Sequence, residues 1–196
     1  MIDLYNGDCL EVMDRLIADG VKVDAIITDP PYGTTSCKWD SIITIDKMWL
    51  RLKKLIKKGR AIVLFGNEPY TSTLRISNIK DYKYDFVWKK TTPTGHLNAK
   101  KRPMKDTENI AVFNVHHSLY NPQISMGKPY HKHNSGKIID DANGIYIVMV
   151  DMDSRSNGER YPTTTLAFRK DGNKGSLHPT QKPLALMEYL VKTYTN

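Results

Sequence analysis

The stretch Val23-Asp24-Ala25-Ile26-Ile27-Thr28 is a nearly continuous apolar run, and it stops at Asp29-Pro30-Pro31-Tyr32. Neither proline offers a backbone N–H, so a strand cannot continue through them. A run that suits a strand and is too short for a helix predicts a central strand covered on both faces. The neighbouring chain has the matching rhythm of short apolar runs alternating with amphipathic stretches, which predicts an α/β fold with helices layered on a sheet. Sheets of this kind build their sites where strands end, so Asp29 to Tyr32 is the first candidate.

The other elements follow from spacing. Ile2 to Asn6 reads as a short strand, and Leu10, Met13, Leu16 and Ile17 recur at helical intervals, with Asp8 placed to cap that helix and Gly20 to stop it. Met48, Leu52, Leu55 and Ile56 predict a second helix ending at Gly59, and Ala61 to Phe65 predicts the next buried strand. Glu68-Pro69-Tyr70 opens another helix, Tyr82, Tyr84, Phe86 and Trp88 alternate along one face of a strand, and Glu108 to Val115 supplies one more. From 116 to 175 the chain becomes rich in Gly, Pro, Asn, Ser, His and Lys, with one strand expected at Ile145 to Val150, and we read it as either a loop-rich lobe or a poorly ordered insertion. Leu184, Met187, Leu190 and Val191 then mark a last helix beginning at Pro183. The organisation expected is 1–115, the lobe 116–175, and a closing loop and helix over 176–196.

Charge narrows the partner. Twenty-nine Lys and Arg against 21 Asp and Glu leave +8 at neutral pH, which favours a polyanion, nucleic acid first. Two cysteines, Cys9 and Cys37, argue against a disulfide framework and suit a reducing cytoplasm. No apolar run can span a bilayer, and no secretory signal opens the chain, so no membrane partner is expected. His116, His117, His131 and His133 lack the cysteine or carboxylate pattern of a zinc site, so no metal is expected.

Asp29-Pro30-Pro31-Tyr32 also fits a particular chemistry. The exocyclic amine of adenine is a poor nucleophile because its lone pair is delocalised into the ring, and two acceptors aimed at its N–H bonds would draw the nitrogen toward tetrahedral geometry. The Asp29 carboxylate is one acceptor and a carbonyl freed by the Pro-Pro turn is the other. The carboxylate would also offset positive charge developing on nitrogen, and Tyr32 offers an aromatic face to a base swung out of its duplex. Read by itself, the tetrapeptide is equally a strand-ending turn.

The chain resembles the S-adenosylmethionine-dependent DNA amino-methyltransferases, which modify adenine N6 or cytosine N4, and within them the permuted subgroup whose catalytic motif precedes the glycine-rich cofactor loop. Asn6-Gly7-Asp8-Cys9, Ile26 to Gly33, Gly59 to Tyr70, Phe86 to Lys90, Asn98 to Pro103 and His178-Pro179-Thr180-Gln181-Lys182-Pro183 match in order across essentially the whole chain. The resemblance implies a Rossmann-like sheet with helices on both faces, S-adenosylmethionine as cofactor, and direct methyl transfer to a flipped adenine in double-stranded DNA. It makes Asp29, Pro30, Pro31 and Tyr32 catalytic. It places Asp8, Cys9, Asp29, Thr180, Gln181 and Lys182 around the cofactor, although Asp8 also reads as a helix cap. Trp88 and Lys89 lie near the base pocket in this reading, or Trp88 is the last core residue of its strand. Lys100, Lys101, Arg102 and Lys105 form a basic run for phosphates, or a solvated loop, and the lobe takes the place of target recognition.

One departure stands out. The subgroup's glycine-rich turn and the strands around it, central in the expected sheet, have no counterpart in this sequence, so unpaired edges and bare apolar surface are expected. The chain should then aggregate alone or need a partner, either a second copy or a complementing fragment, with a restriction endonuclease as a further candidate companion. Three rival readings remain open: cytosine N4 as the target, a DNA-binding relic that cannot hold the cofactor, and methylation of RNA or protein.

Overall fold

The computed structural model describes residues 2–33, 41–114, 118–134, 138–140, 146–148, 152–171 and 180–196. In chain order the elements begin with α1 (Cys9–Ala18), β1 (Val23–Thr28), α2 (Ile45–Leu55), β2 (Ile56–Gly66), α3 (Tyr70–Ser77), β3 (Tyr82–Thr94) and β4 (Lys105–Phe113). The short strands β5 (Ser125–Met126), β6 (Tyr130–Asn134), β7 (Ile138–Asp140), β8 (Tyr146–Val148), β9 (Met152–Ser156) and β10 (Glu159–Arg160) follow, then β11 (Thr165–Ala167) and α4 (Leu184–Tyr194). Cys37, Val115, His116, His117, His178, Pro179 and the outer residues of the expected strand Ile145 to Val150 lie outside the described residues.

Contacts divide the chain into two compact units, Met1–Asn121 with Thr163–Asn196, and Pro122–Pro162. The first holds a five-stranded sheet in the order β1-β2-β4-β3-β11. β1 pairs parallel with β2, β4 runs antiparallel to both β2 and β3, and β11 pairs parallel with β3. Four strands therefore share a direction and β4 alone opposes them.

Alternation along the central strands divides the core. Ala61, Val63 and Phe65 of β2 join Phe86, Trp88, Ile110, Val112, Leu166 and the α4 residues Leu186, Leu190 and Tyr194 on one face. Ile62, Leu64, Ala111 and Phe113 meet Met48, Trp49 and Leu52 of α2 and Tyr70 and Leu74 of α3 on the other. Helices thus cover both faces, as the α/β reading requires, and the period of two in β2 and β4 is what sends alternate side chains each way.

Four expectations are corrected. Helix α2 ends at Leu55 and not at Gly59: Ile56 already has an extended backbone, and Gly59, at φ 70, sits in an excursion of β2 where register jumps from Val23↔Ile56 to Ala25↔Ala61. Tyr82 does not share a face with Tyr84, Phe86 and Trp88, because a register shift between Tyr82 and Tyr84 inserts an extra residue and sends Tyr82 to the opposite cluster. β1 is an edge strand and not a central one. All six of its residues are only half-buried, and the expected strand at Ile2 to Asn6 is irregular, with Ile2 and Leu4 exposed, since among the described residues nothing pairs with it.

Helix α1 begins as the sequence predicts: the Asp8 side chain accepts from the backbone N–H groups of Leu10 and Glu11 at 2.8 and 3.2 Å. Its end is closed by Gly20 at φ 73, whose N–H donates to Ile17, while Val21 donates to Leu16. In the second unit β6 pairs antiparallel with β9, β7 with β8 and β10 with β5. There His131 and His133 both face Asp153, at 3.2 and 2.7 Å. Among the described residues no cluster suits a metal ion and no helix is long and apolar enough to cross a membrane.

Candidate active site

The strand ends of the first unit bring four charges together. Asp29 follows β1, Glu108 lies near the start of β4, Lys90 lies in β3, and Lys182 precedes α4. Lys182 Nζ lies 2.6 Å from Asp29 Oδ2 and 2.7 Å from Glu108 Oε1. Lys90 Nζ lies 2.8 Å from Glu108 Oε2. Two carboxylates and two ammoniums are therefore linked in the order Asp29, Lys182, Glu108, Lys90, and their formal charges cancel.

Aromatic groups wall the cluster. The Tyr32 hydroxyl donates to Asp29 Oδ1 and lies 3.4 Å from Glu108 Oε1, while its ring packs against Tyr70 at 5.3 Å. Lys182 sits over the Phe65 ring at 5.0 Å, and Lys90 over Trp88 at 5.2 Å. Burial, reinforced by Asp29 and Glu108, drives the Tyr32 phenol far above its ordinary range, so it remains a protonated donor. Burial followed by the Asp29 charge raises Tyr70 to about 12. Tyr70 Oη has no hydrogen-bond partner among the described residues, which leaves a donor in this wall.

Glu108 is 3% exposed. Burial alone pushes its carboxyl upward, but the Lys182 and Lys90 ammoniums outweigh that and hold it below the usual glutamate value. β4 places it: Glu108 shares a face with Ile110 and Val112, which belong to the α4-side core, and stands opposite Trp88 of β3.

Other candidates fall at different depths. Pro30 is buried and Pro31 half-buried, which fixes the turn that presents Asp29. Trp88 is a core residue, 3% exposed, with its indole N–H donating to the Phe168 carbonyl at 3.0 Å, so it supports Lys90 from within the core instead of facing a base. Lys89 is exposed, as are Lys100, Lys101, Arg102 and Lys105. Lys105 has its ammonium pKa lowered by partial burial and then by Lys90.

The residues expected around the cofactor separate in the same way. Lys182 places two of its three ammonium donors on Asp29 and Glu108, which leaves one for the methionine end. Gln181 donates toward Asp171 Oδ2 at 3.4 Å, and that same oxygen accepts the Leu184 N–H at the start of α4. Asp8 is exposed, and both of its hydrogen bonds to the helix use Oδ1, so Oδ2 can accept an amine N–H. Burial and then the Asp8 charge raise the Cys9 thiol, which keeps it protonated and leaves its backbone as the useful part. Asp8 and the Cys9 backbone therefore fit a ligand carrying an adenine-type amine.

Glu108, Lys90 and Tyr70 are absent from the set that sequence reasoning assigned to the site. Glu108 carried one signal, a lone acid on the apolar face of a strand. Lys90 and Tyr70 carried none that separates them from a surface lysine and a core tyrosine.

Comparison with known proteins bears on the family and the fold. The model of a family described as DNA methylase, of the N6 and N4 type, matches residues 23–196. The crystal structure of the M1.HpyAVI–SAM complex superposes with a TM-score of 0.61 at 24% identity, covering 100% of this chain and 78% of that one. The structure titled PvuII DNA methyltransferase, cytosine-N4-specific, gives a TM-score of 0.58 at 14% identity over 98% of this chain and 70% of that one. At these identities the likeness establishes the fold.

Proposed function

Because the chain belongs to the DNA methylase family of N6 and N4 amino-methyltransferases, we propose that it transfers a methyl group from S-adenosylmethionine to the exocyclic N6 of adenine in double-stranded DNA. The observation that carries this reading is the Asp29 carboxylate at the end of β1, oriented by Tyr32 on one oxygen and Lys182 on the other. A carboxylate has about four lone-pair sites, so both oxygens keep capacity for an incoming N–H. Asp29 accepts one N–H of the target amine, the carbonyl of the Pro30 turn accepts the other, and the nitrogen lone pair is thereby localised. As positive charge grows on that nitrogen, the fixed carboxylate offsets it without reorganising. Tyr32 offers the aromatic face for a base out of its stack, and Tyr70, buried behind it, supports that ring.

S-adenosylmethionine, when bound, supplies an electrophilic methyl group on a sulfonium. Asp8 would hold its adenine amine, the Cys9 backbone would contact its ring, and Thr180 and Gln181 would serve its methionine end. Lys100, Lys101, Arg102 and Lys105 meet DNA phosphates, consistent with their exposure and with the +8 charge. In this reading the activity is cytoplasmic, with a restriction endonuclease as a candidate companion. The edge position of β1 favours a second feature of the same reading, a polypeptide that completes the sheet there, from another copy or a complementing fragment.

The test is methylation of duplex DNA followed by nucleoside analysis. N6-methyladenine is the expected product, and N4-methylcytosine would reassign the target. Asp29→Ala is expected to lower transfer by at least about a hundredfold, the scale of losing one aligned charge-stabilising group, with DNA affinity retained. Loss of DNA binding alongside transfer would give Asp29 a folding role instead.

A further inference from the structure

Glu108 is the buried centre of the charge cluster, and no part of the transfer chemistry described above uses it. A nearly inaccessible carboxylate is costly to bury, and a strand residue packed beside Ile110 and Val112 would ordinarily be apolar. Its three neighbours are Lys182 at 2.7 Å, Lys90 at 2.8 Å and the Tyr32 hydroxyl at 3.4 Å. Lys182 and Tyr32 are also the two groups that hold Asp29. The single Tyr32 O–H is spent on Asp29, but Lys182, with three donors, is also fixed from behind by Glu108.

We infer that Glu108 is a positioning residue for methyl transfer, setting the direction of the Asp29 carboxylate through Lys182; this rests on the reading of Asp29 as the acceptor for the target amine. The reasoning is geometric. A lysine has a four-carbon stem and many rotamers, and an ammonium paired to Asp29 alone could take either oxygen from several directions. Held between Glu108 Oε1 and Asp29 Oδ2, it has one position. Glu108 also takes a share of the Lys182 charge, so that Asp29 remains an effective acceptor toward a neutral amine. Lys90, on the other Glu108 oxygen, fixes the glutamate and balances its charge.

The test uses the full chain in two measurements. In urea unfolding, Asp29→Asn, Glu108→Gln and their combination are compared with Lys182 present and again in a Lys182→Met background. With Lys182 present the shifts in midpoint should fail to add; with methionine at 182 they should add. Additivity in both backgrounds overturns the proposal, because Glu108 would then serve the core alone. If Glu108→Gln does not fold, Glu108→Asp, which keeps the charge and shortens its reach, replaces it in the same cycle.

In single-turnover transfer to duplex DNA, Glu108→Gln should slow the methyl step by about 10- to 100-fold, the scale of a misplaced reacting group. DNA affinity should stay within twofold, and Glu108→Asp should recover part of the rate. Rate and affinity falling together would overturn the positioning role. A wild-type chain that transfers no methyl group overturns the functional reading alone, since the unfolding cycle requires no turnover and still decides whether Glu108 and Asp29 are coupled.

Discussion

β1 and β2 are adjacent, parallel and similarly apolar, yet they live in different environments. From Ala61 to Gly66, β2 is buried at every position, between α4 on one face and α2 and α3 on the other. β1 is half-buried throughout, α1 buries no residue completely, and Ile2, Leu4 and Tyr5 are exposed. The contrast shows that an apolar run measures how much surface a strand can bury, while its neighbours decide how much it does. It also locates the chemistry, because Asp29 follows the less covered of these two strands, while Lys182, which orders it, precedes α4 and is held in turn by Glu108 on the covered strand β4.

The most direct way to break the contrast is truncation on each side of it. Leu64 is completely buried in β2, and Leu64→Ala should cost about 3–5 kcal/mol. Ile27, on β1, is partly buried, and Ile27→Ala should cost roughly half as much or less, in proportion to the apolar area it removes from water. Urea midpoints of the two variants measure this. Equal losses would mean that the β1 flank is covered in solution, by a second copy or another polypeptide, and a protein concentration series on the Ile27 variant would reveal it.

Much of the first unit was readable from spacing. The capped helix α1, the buried strand at Ala61 to Phe65, the helix after Pro69 and the helix after Pro183 all depend on local signals, and local signals survive without knowledge of partners. What failed depended on pairing. Gly59 resembles a helix stop because glycine serves helix ends and strand excursions alike, and only the β1 register separates them. Tyr82 changes face through one inserted residue that no alternation pattern reveals. At the site, Asp29 was legible as the residue that ends an apolar run at two prolines. Lys182, which sits 153 positions away, was grouped with it around the cofactor by the resemblance, but its direct pairing with the carboxylate is visible only in the fold, and Glu108 could be recognised only by asking why an acid stands on an apolar face.

That buried acid sharpens the comparison through pH. The folded-state pKa of Glu108 is depressed by its two lysines, so the unfolded chain binds its proton more readily. Its stabilising contribution is fully present above the ordinary glutamate value of 4.5 and is lost as pH falls through the lower folded value. Denaturation midpoints measured from neutral pH down to about 3 should therefore decline, and Glu108→Gln should flatten that decline. Asp24, Glu68, Asp153 and Glu188 are also depressed, but their carboxylates are ion-paired where solvent reaches them, so their share is small. A slope unchanged by Glu108→Gln would mean that the lysines follow solvent and not the buried carboxylate.

The smallest effect is expected at the other end of the exposed flank. Asp8 caps α1 through one carboxylate oxygen, and removing such a cap costs about 1 kcal/mol. Because α1 buries no residue completely, fraying of its first turn should stay local, and Asp8→Ala should shift the unfolding midpoint only slightly. Asp8→Ser distinguishes the two uses of the side chain. A serine hydroxyl can cap the helix but has no second oxygen to accept an adenine amine, so stability should return while affinity for S-adenosylmethionine, measured by calorimetry, stays reduced. Recovery of both would make Asp8 a cap alone and would move recognition of the cofactor's adenine to another residue.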